Sequence, residues 1–159
     1  MAAVVCRREV AESFAASGIE YFNTYGGNSV AMAIAEAVLD TIVEENLQEN
    51  ARVVGNYLTE RLRPLVNKYD WVGDVRGSGL FQGIEFVRTK KGDDLQPHPE
   101  LTKFLVDYLR YQRIIVSRDG PDANVIKVKP PLVFSKENVD TLVDGLDKAL
   151  ESAAKLGIF

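Results

Sequence analysis

Two glycines set between an aromatic run and a helical pattern are the first residues in this chain whose types and spacing suggest chemistry. The stretch reads Tyr21-Phe22-Asn23-Thr24-Tyr25-Gly26-Gly27-Asn28-Ser29. Paired glycines allow a positive φ and a close approach of backbone to ligand. A helix starting behind them leaves several N–H groups unpaired and aims the positive end of its dipole at the loop. Together these features suit a phosphate. Thr24 adds a hydroxyl donor and Asn28 is a competent N-cap, so the corner satisfies either a ligand or its own helix. For Thr24 the plain alternative is a turn threonine bonding its own backbone.

Other chemically capable residues point less far. His98, the single histidine, falls in a charged loop with no nucleophile beside it and is expected to be ordinary surface. Arg76 is read as structural, an ion-pairing residue worth roughly 0–1 kcal/mol at the surface or a grip on a carboxylate of a neighbouring domain. The spacing Gly77-x-Gly79-x-x-x-Gly83 lacks the strand-to-helix setting of a nucleotide loop. No group of His, Cys or carboxylates has metal-ligand spacing. Cys6 is alone, which excludes an internal disulfide framework.

Three segments carry a family resemblance: Asn23-Thr24-Tyr25-Gly26-Gly27-Asn28, then Gly73-Asp74-Val75-Arg76-Gly77-Ser78-Gly79-Leu80, then Lys127-Val128-Lys129-Pro130-Pro131-Leu132. In this order they resemble signatures of the class III, fold type I, pyridoxal-phosphate aminotransferases, and the likeness runs through essentially the whole chain. Within the class it is strongest to the alanine–glyoxylate aminotransferase 2-like branch, which includes phospholyases acting on ethanolamine phosphate and 5-phosphohydroxylysine. The resemblance implies pyridoxal 5'-phosphate as cofactor, with Thr24, Gly26 and Gly27 on its phosphate. Thr24 would serve the neighbouring subunit of a two-fold homodimer. It also implies an intracellular enzyme, mitochondrial or cytoplasmic, taking an amine or phosphorylated amine.

Lys127 departs from that pattern. Many aminotransferases of the class have an arginine at the matching position, whose planar fork grips an α-carboxylate through two parallel bonds; a lysine ammonium is a point charge and cannot. A substrate lacking an α-carboxylate, such as ethanolamine phosphate, accounts for the change, with Lys127 or Lys129 meeting its phosphate. Phosphohydroxylysine does carry a carboxylate, which weakens the reading. Only one of the two lysines is expected to face the site, and a solvated edge-strand lysine is the alternative for each.

The elements that must position these residues follow from periodicity. Met1 to Val5 reads as a buried strand and Arg7 to Ala16 as a short helix with Val10 and Phe14 on one face, stopped by Gly18. From Ser29, residues Val30, Ile34, Ala37, Val38 and Ile42 keep helical spacing. Asn46 with Glu49 resembles a fresh helix start with a capping box, and Pro64 to Asp70 should close that helix. Trp71–Gly77 and Gly79–Val87 are extended, the second with partial burial on both faces. Arg88 to Pro99 is a surface loop, and Pro99 opens a helix through Leu101, Phe104, Leu105, Tyr108 and Leu109. Ile114–Val116 and Val125–Val128 are strands, the latter ended by Pro130-Pro131. Ser135 caps a last helix with Val139, Leu142, Val143, Leu146, Ala149, Leu150 and Ala153 inward.

Short strands under two covering helices make an α+β layer. The expected organisation is 1–46 as the C-terminal remnant of a large cofactor-binding domain and 47–159 as a C-terminal small domain. At 159 residues and a net charge of −4, without a basic block, the chain suits neither a nucleic-acid nor a membrane surface. A chain opening in a core strand is expected to be the back part of a longer enzyme. In the family likeness the Schiff-base lysine lies just upstream of that strand, so none of the nine lysines here fills its place. The chain alone is then inactive. The rival expectations are a phospholyase, a true alanine–glyoxylate-type aminotransferase, and a non-catalytic dimerisation or ligand-binding module.

Overall fold

Asn28 and Ser135 start the helices that the sequence marks most clearly, one in each half of the chain. The computed structural model describes residues 2–89 and 95–158, and the chain divides into two compact units, Met1–Glu45 and Asn46–Phe159.

In the first unit, helix α1 (Arg8–Ala16) is followed by Gly18 at φ +74°, as the sequence suggests. Helix α2 (Ser29–Glu44) begins where the Asn28 side chain accepts a hydrogen bond from the Ala31 N–H at 2.9 Å. The opening residues depart from expectation. Met1 lies outside the described residues, and Ala2 to Val5 form no strand; Val5 is 95% exposed. A β-prone run becomes a strand only where a partner completes its ladder, and this unit contains no sheet among its described residues. None of its described residues is fully buried, and Val30, Ile34 and Val38 of α2 are exposed.

In the second unit, α3 (Leu47–Lys68) starts at Asn46, but the expected capping box does not form. Asn46 sits at φ +52° rather than in the extended region from which a cap side chain reaches back, and Glu49 instead accepts from Arg52 Nε at 2.7 Å. The helix runs through Pro64 and closes at Lys68, within the expected stretch from Pro64 to Asp70. Leu62 and Leu65 are buried on either side of Pro64, and packing of this kind outweighs the missing N–H.

Strands β1 (Val72–Ser78) and β2 (Phe81–Phe86) form an antiparallel hairpin whose Ser78↔Phe81 pairing places the turn at Gly79-Leu80, later than expected, with Gly79 at φ +54°. The turn lies hard against α3. A Cβ on Gly55 would come within 2.2 Å of the Gly79 carbonyl carbon. On β2, Gln82, Ile84 and Phe86 are buried while Gly83 and Glu85 are half-buried, so the second face is only partly covered.

Helix α4 (Pro99–Tyr111) has its proline at the start as expected. The loop before it is described only in part, since residues 90–94 lie outside the described residues. Beyond α4, Ile114–Val116 is not a strand; β3 is Ser117–Asp119, paired with β4 (Val125–Val128) through Ser117↔Lys127 and Asp119↔Val125. The reason lies across the ladder. Continuing that register would set residues 114 and 115 beside Pro130 and its neighbour, and proline donates no ladder hydrogen bond.

The sheet order is β1-β2-β4-β3, antiparallel throughout, which makes β4 an inner strand. Helix α5 (Lys136–Leu156) opens with a capping box in which Ser135 N–H donates to Asn138 Oδ1 at 3.1 Å and Asn138 N–H donates to Ser135 Oγ at 3.3 Å. Val72, Ile84, Phe86, Ile126 and Val128 cluster with the buried residues of α3, α4 and α5. Helices α3 and α4 meet the strands, and α5 packs on those two helices. Each fully buried Leu, Ile or Phe contributes about 1.5–3 kcal/mol of apolar burial. The architecture is α+β.

Candidate functional site

The glycine corner of the first unit is built mainly by Asn23, a residue the sequence reading passed over. Its Oδ1 accepts from the N–H groups of Tyr25 at 3.2 Å and Gly26 at 3.0 Å, and its Nδ2 donates to the Tyr21 hydroxyl at 3.2 Å. Asn28 completes the turn, donating from Nδ2 to the Tyr25 carbonyl at 2.8 Å while capping α2. An Asx turn followed by an Asn cap was legible in the spacing Asn23 to Asn28.

The two glycines have different jobs. Gly26 lacks a side chain because a Cβ there would sit 2.9 Å from the Asn23 side chain. Gly27 takes the left-handed conformation, φ +69°, with nothing within 4 Å of the place a Cβ would occupy. Both line a concavity of about 1000 Å³ with Tyr21, Asn23, Tyr25 and Ala31, whereas Thr24 is exposed and outside it. The donors fit a phosphate. Thr24 offers its hydroxyl, and at the start of α2 the first-turn N–H groups ahead of Ala31 have no helical acceptor.

The second unit holds a cleft of about 500 Å³ with apolar walls and a basic rim. Its shape begins at the end of α4. Arg113, a non-glycine residue at φ +62°, turns the chain so that the Ile114 N–H donates to the Leu109 carbonyl at 2.9 Å, a six-residue closure typical of a left-handed helix stop. Gly145 of α5 makes room for Ile114, since a Cβ there would lie 2.6 Å from Ile114 Cδ1. Ile114, Val116, Phe134 and Leu142 then form walls, and Arg113, Lys127 and Lys129 supply positive charge.

Lys127 occupies the inner strand β4, opposite Gly83 on one side and Ser117 on the other. It is therefore not an edge-strand lysine, and its side chain is 34% exposed. It forms an ion pair with Asp119. The Asp119 carboxylate is held below its ordinary range by Lys127 first, then by the Gly120 N–H, which donates to Oδ1 at 2.8 Å, with Lys129 adding a weaker pull. The expectation that only one of the two lysines faces the site fails on pleating: residues two apart share a face, and both line the cleft. Asp119 and Arg113 were not singled out from the sequence. The register of Asp119 against Lys127 depends on β3 pairing.

Two remaining candidates resolve as scaffold. Arg76 pairs on the surface with Asp74 at 3.1 Å and with Glu85. His98 is buried rather than exposed. Its Nδ1 caps α4 by accepting from the Leu101 N–H at 3.4 Å, its backbone N–H donates to the Phe86 carbonyl at 3.1 Å, and its Nε2 has no hydrogen-bond partner among the described residues. Burial, with a smaller contribution from Arg88, holds its pKa below the ordinary value against the opposing pull of Glu100. Among the described residues there is no metal-ligand group and no helix long and apolar enough to cross a membrane.

Comparison with known proteins agrees with this geometry. Residues 1–150 match the family model "Aminotransferase class-III". The chain is 46% identical to the alanine–glyoxylate aminotransferase 2-like protein of Drosophila melanogaster, over 93% of this chain and 30% of that protein. It is 38% identical to the human mitochondrial alanine–glyoxylate aminotransferase 2, over 94% of this chain and 29% of that one. Among solved structures, a phospholyase from Arthrobacter in complex with phosphoethanolamine superposes with a TM-score of 0.81 at 37% identity, covering 91% of this chain and 34% of that one. The chain thus spans about a third of the length of the relatives it matches. With its family model, its relatives and its α+β layer in agreement, this chain belongs to the class-III aminotransferases.

Proposed function

We propose that the chain is the C-terminal part of a longer pyridoxal-phosphate enzyme and that the complete enzyme is a phospholyase releasing phosphate from a phosphorylated amine such as ethanolamine phosphate. In this reading residues 1–46 belong to the large cofactor-binding domain, residues 47–159 are the small domain, and the Schiff-base lysine lies outside this stretch. The carrying observation is Lys127, a point charge on an inner strand at the rim of an apolar cleft, where many aminotransferases of the class have a carboxylate-gripping arginine. The Arthrobacter phospholyase, solved with phosphoethanolamine, supports the same substrate class.

Roles for this chain's residues follow. Thr24 donates its hydroxyl to the cofactor phosphate of the neighbouring subunit in a homodimer, and Gly26 and Gly27 let the backbone come close to it. When bound, the cofactor supplies a sink for the electrons released at the amine-bearing carbon. Lys127 holds the substrate phosphate and keeps positive charge beside it as it leaves. A lysine ammonium has three donors; with one engaged by Asp119, two remain for phosphate oxygens. Ile114, Val116 and Phe134 wall the cleft beside that lysine. The compartment is mitochondrial, following the human relative's name.

A true aminotransferase is the second reading, favoured by the names of the fly and human relatives. The complete enzyme, given ethanolamine phosphate, should release inorganic phosphate and an aldehyde. Silence in that assay together with active alanine–glyoxylate exchange would establish the second reading instead.

A further inference from the structure

Asp119 is not among the residues lining the cleft, yet it pairs with the lysine that is. One of its oxygens takes Lys127 and the other accepts from the Gly120 N–H at 2.8 Å, so the carboxylate is fixed by backbone at the moment it engages the ammonium. Its place is set by the sheet: Asp119 pairs with Val125, two residues before Lys127 on the same strand face, and long side chains reach across that diagonal.

Such a carboxylate has two opposite effects on an anion in the cleft. It orders Lys127, which matters little because the pair is partly exposed and partly exposed pairs are weak. It also takes up one ammonium donor and sets a negative charge a few ångströms from any phosphate on the other two, and repulsion at that range outweighs the ordering. We propose that Asp119 is a positioning residue that restrains Lys127, lowering the affinity of the cleft for phosphate and so easing release of the phosphate product. This rests on Lys127 being the phosphate contact. It extends that reading by naming the group that competes for it.

The test is a double-mutant cycle in the complete enzyme, with inorganic phosphate as the probe. Phosphate affinity is measured both by equilibrium binding and as inhibition constant against ethanolamine phosphate. Asp119→Asn keeps an oxygen for the Gly120 N–H and removes the charge. It is expected to tighten phosphate about three- to tenfold at low salt, with less gain at high salt, and to lower KM without raising kcat. In a Lys127→Met background the same change should tighten phosphate clearly less, since only the direct repulsion is left to remove; an equal gain in both backgrounds would show that Asp119 does not act through Lys127. If Lys127→Met alone leaves phosphate binding unchanged, the phosphate role of Lys127 fails. If Lys127→Met weakens binding while Asp119→Asn leaves it unchanged or weakens it, the role of Asp119 fails and that of Lys127 stands. Asp119→Ser, read alongside, guards against a folding defect peculiar to the asparagine, and it too should tighten phosphate.

Discussion

Helices α2 and α5 carry the same kind of apolar stripe and meet opposite fates. On α5, Val139, Leu142, Leu146, Ala149 and Leu150 are all buried against elements of their own unit. On α2, no residue is buried, and Val30 is 70% exposed. Helical spacing states that a face needs cover; it says nothing about where the cover comes from. For α5 the cover comes from α3 and α4, both contained in Asn46–Phe159. For α2 the described residues of its unit do not provide it.

The contrast can be broken by matched truncations. Leu58→Ala, at a fully buried position, should cost about 2–5 kcal/mol in urea unfolding followed by circular dichroism. Ile34→Ala, on the uncovered stripe, should stay within about 0.5 kcal/mol in the same chain. Equal losses at the two sites would remove the distinction between the units. Next in size is Gly55→Ala. Its new Cβ meets backbone of the Gly79 turn rather than a flexible side chain, so about 1–3 kcal/mol should be lost, read from the same unfolding midpoint.

The smallest expected effect sharpens the account of the second unit. Burial favours the neutral His98 ring, so its folded pKa lies below the ordinary 6.5. The stability this contributes is therefore complete above the ordinary value and is lost as pH falls through the lowered folded one. Asparagine can cap α4 without titrating. His98→Asn should accordingly lose less stability than the parent chain as pH falls below the ordinary 6.5, and parallel pH profiles would show that the histidine plays no such part.

Much of this could be read in the sequence, and the misses share a cause. The bounds of α1 and α2, the Pro99 start of α4 and the Ser135 cap came from local signals: glycine stops, N-caps and 3.6-residue spacing. What local signals missed was set by partners distant in sequence. Ile114–Val116 looks like a strand until its register meets Pro130. His98 looks like surface until the Phe86 carbonyl takes its N–H. At the site, Thr24, Gly26, Gly27 and Lys127 were legible as types and the spacing Asn23 to Asn28 spelled the turn, but Asp119 as partner of Lys127 required coordinates.

The role of Lys127 is tested most directly by the KM of the complete enzyme for ethanolamine phosphate before and after Lys127→Met. A hydrogen-bonded contact to a charged group predicts a rise of about tenfold or more. An unchanged KM, with phosphate still released at the parent rate, would contradict it.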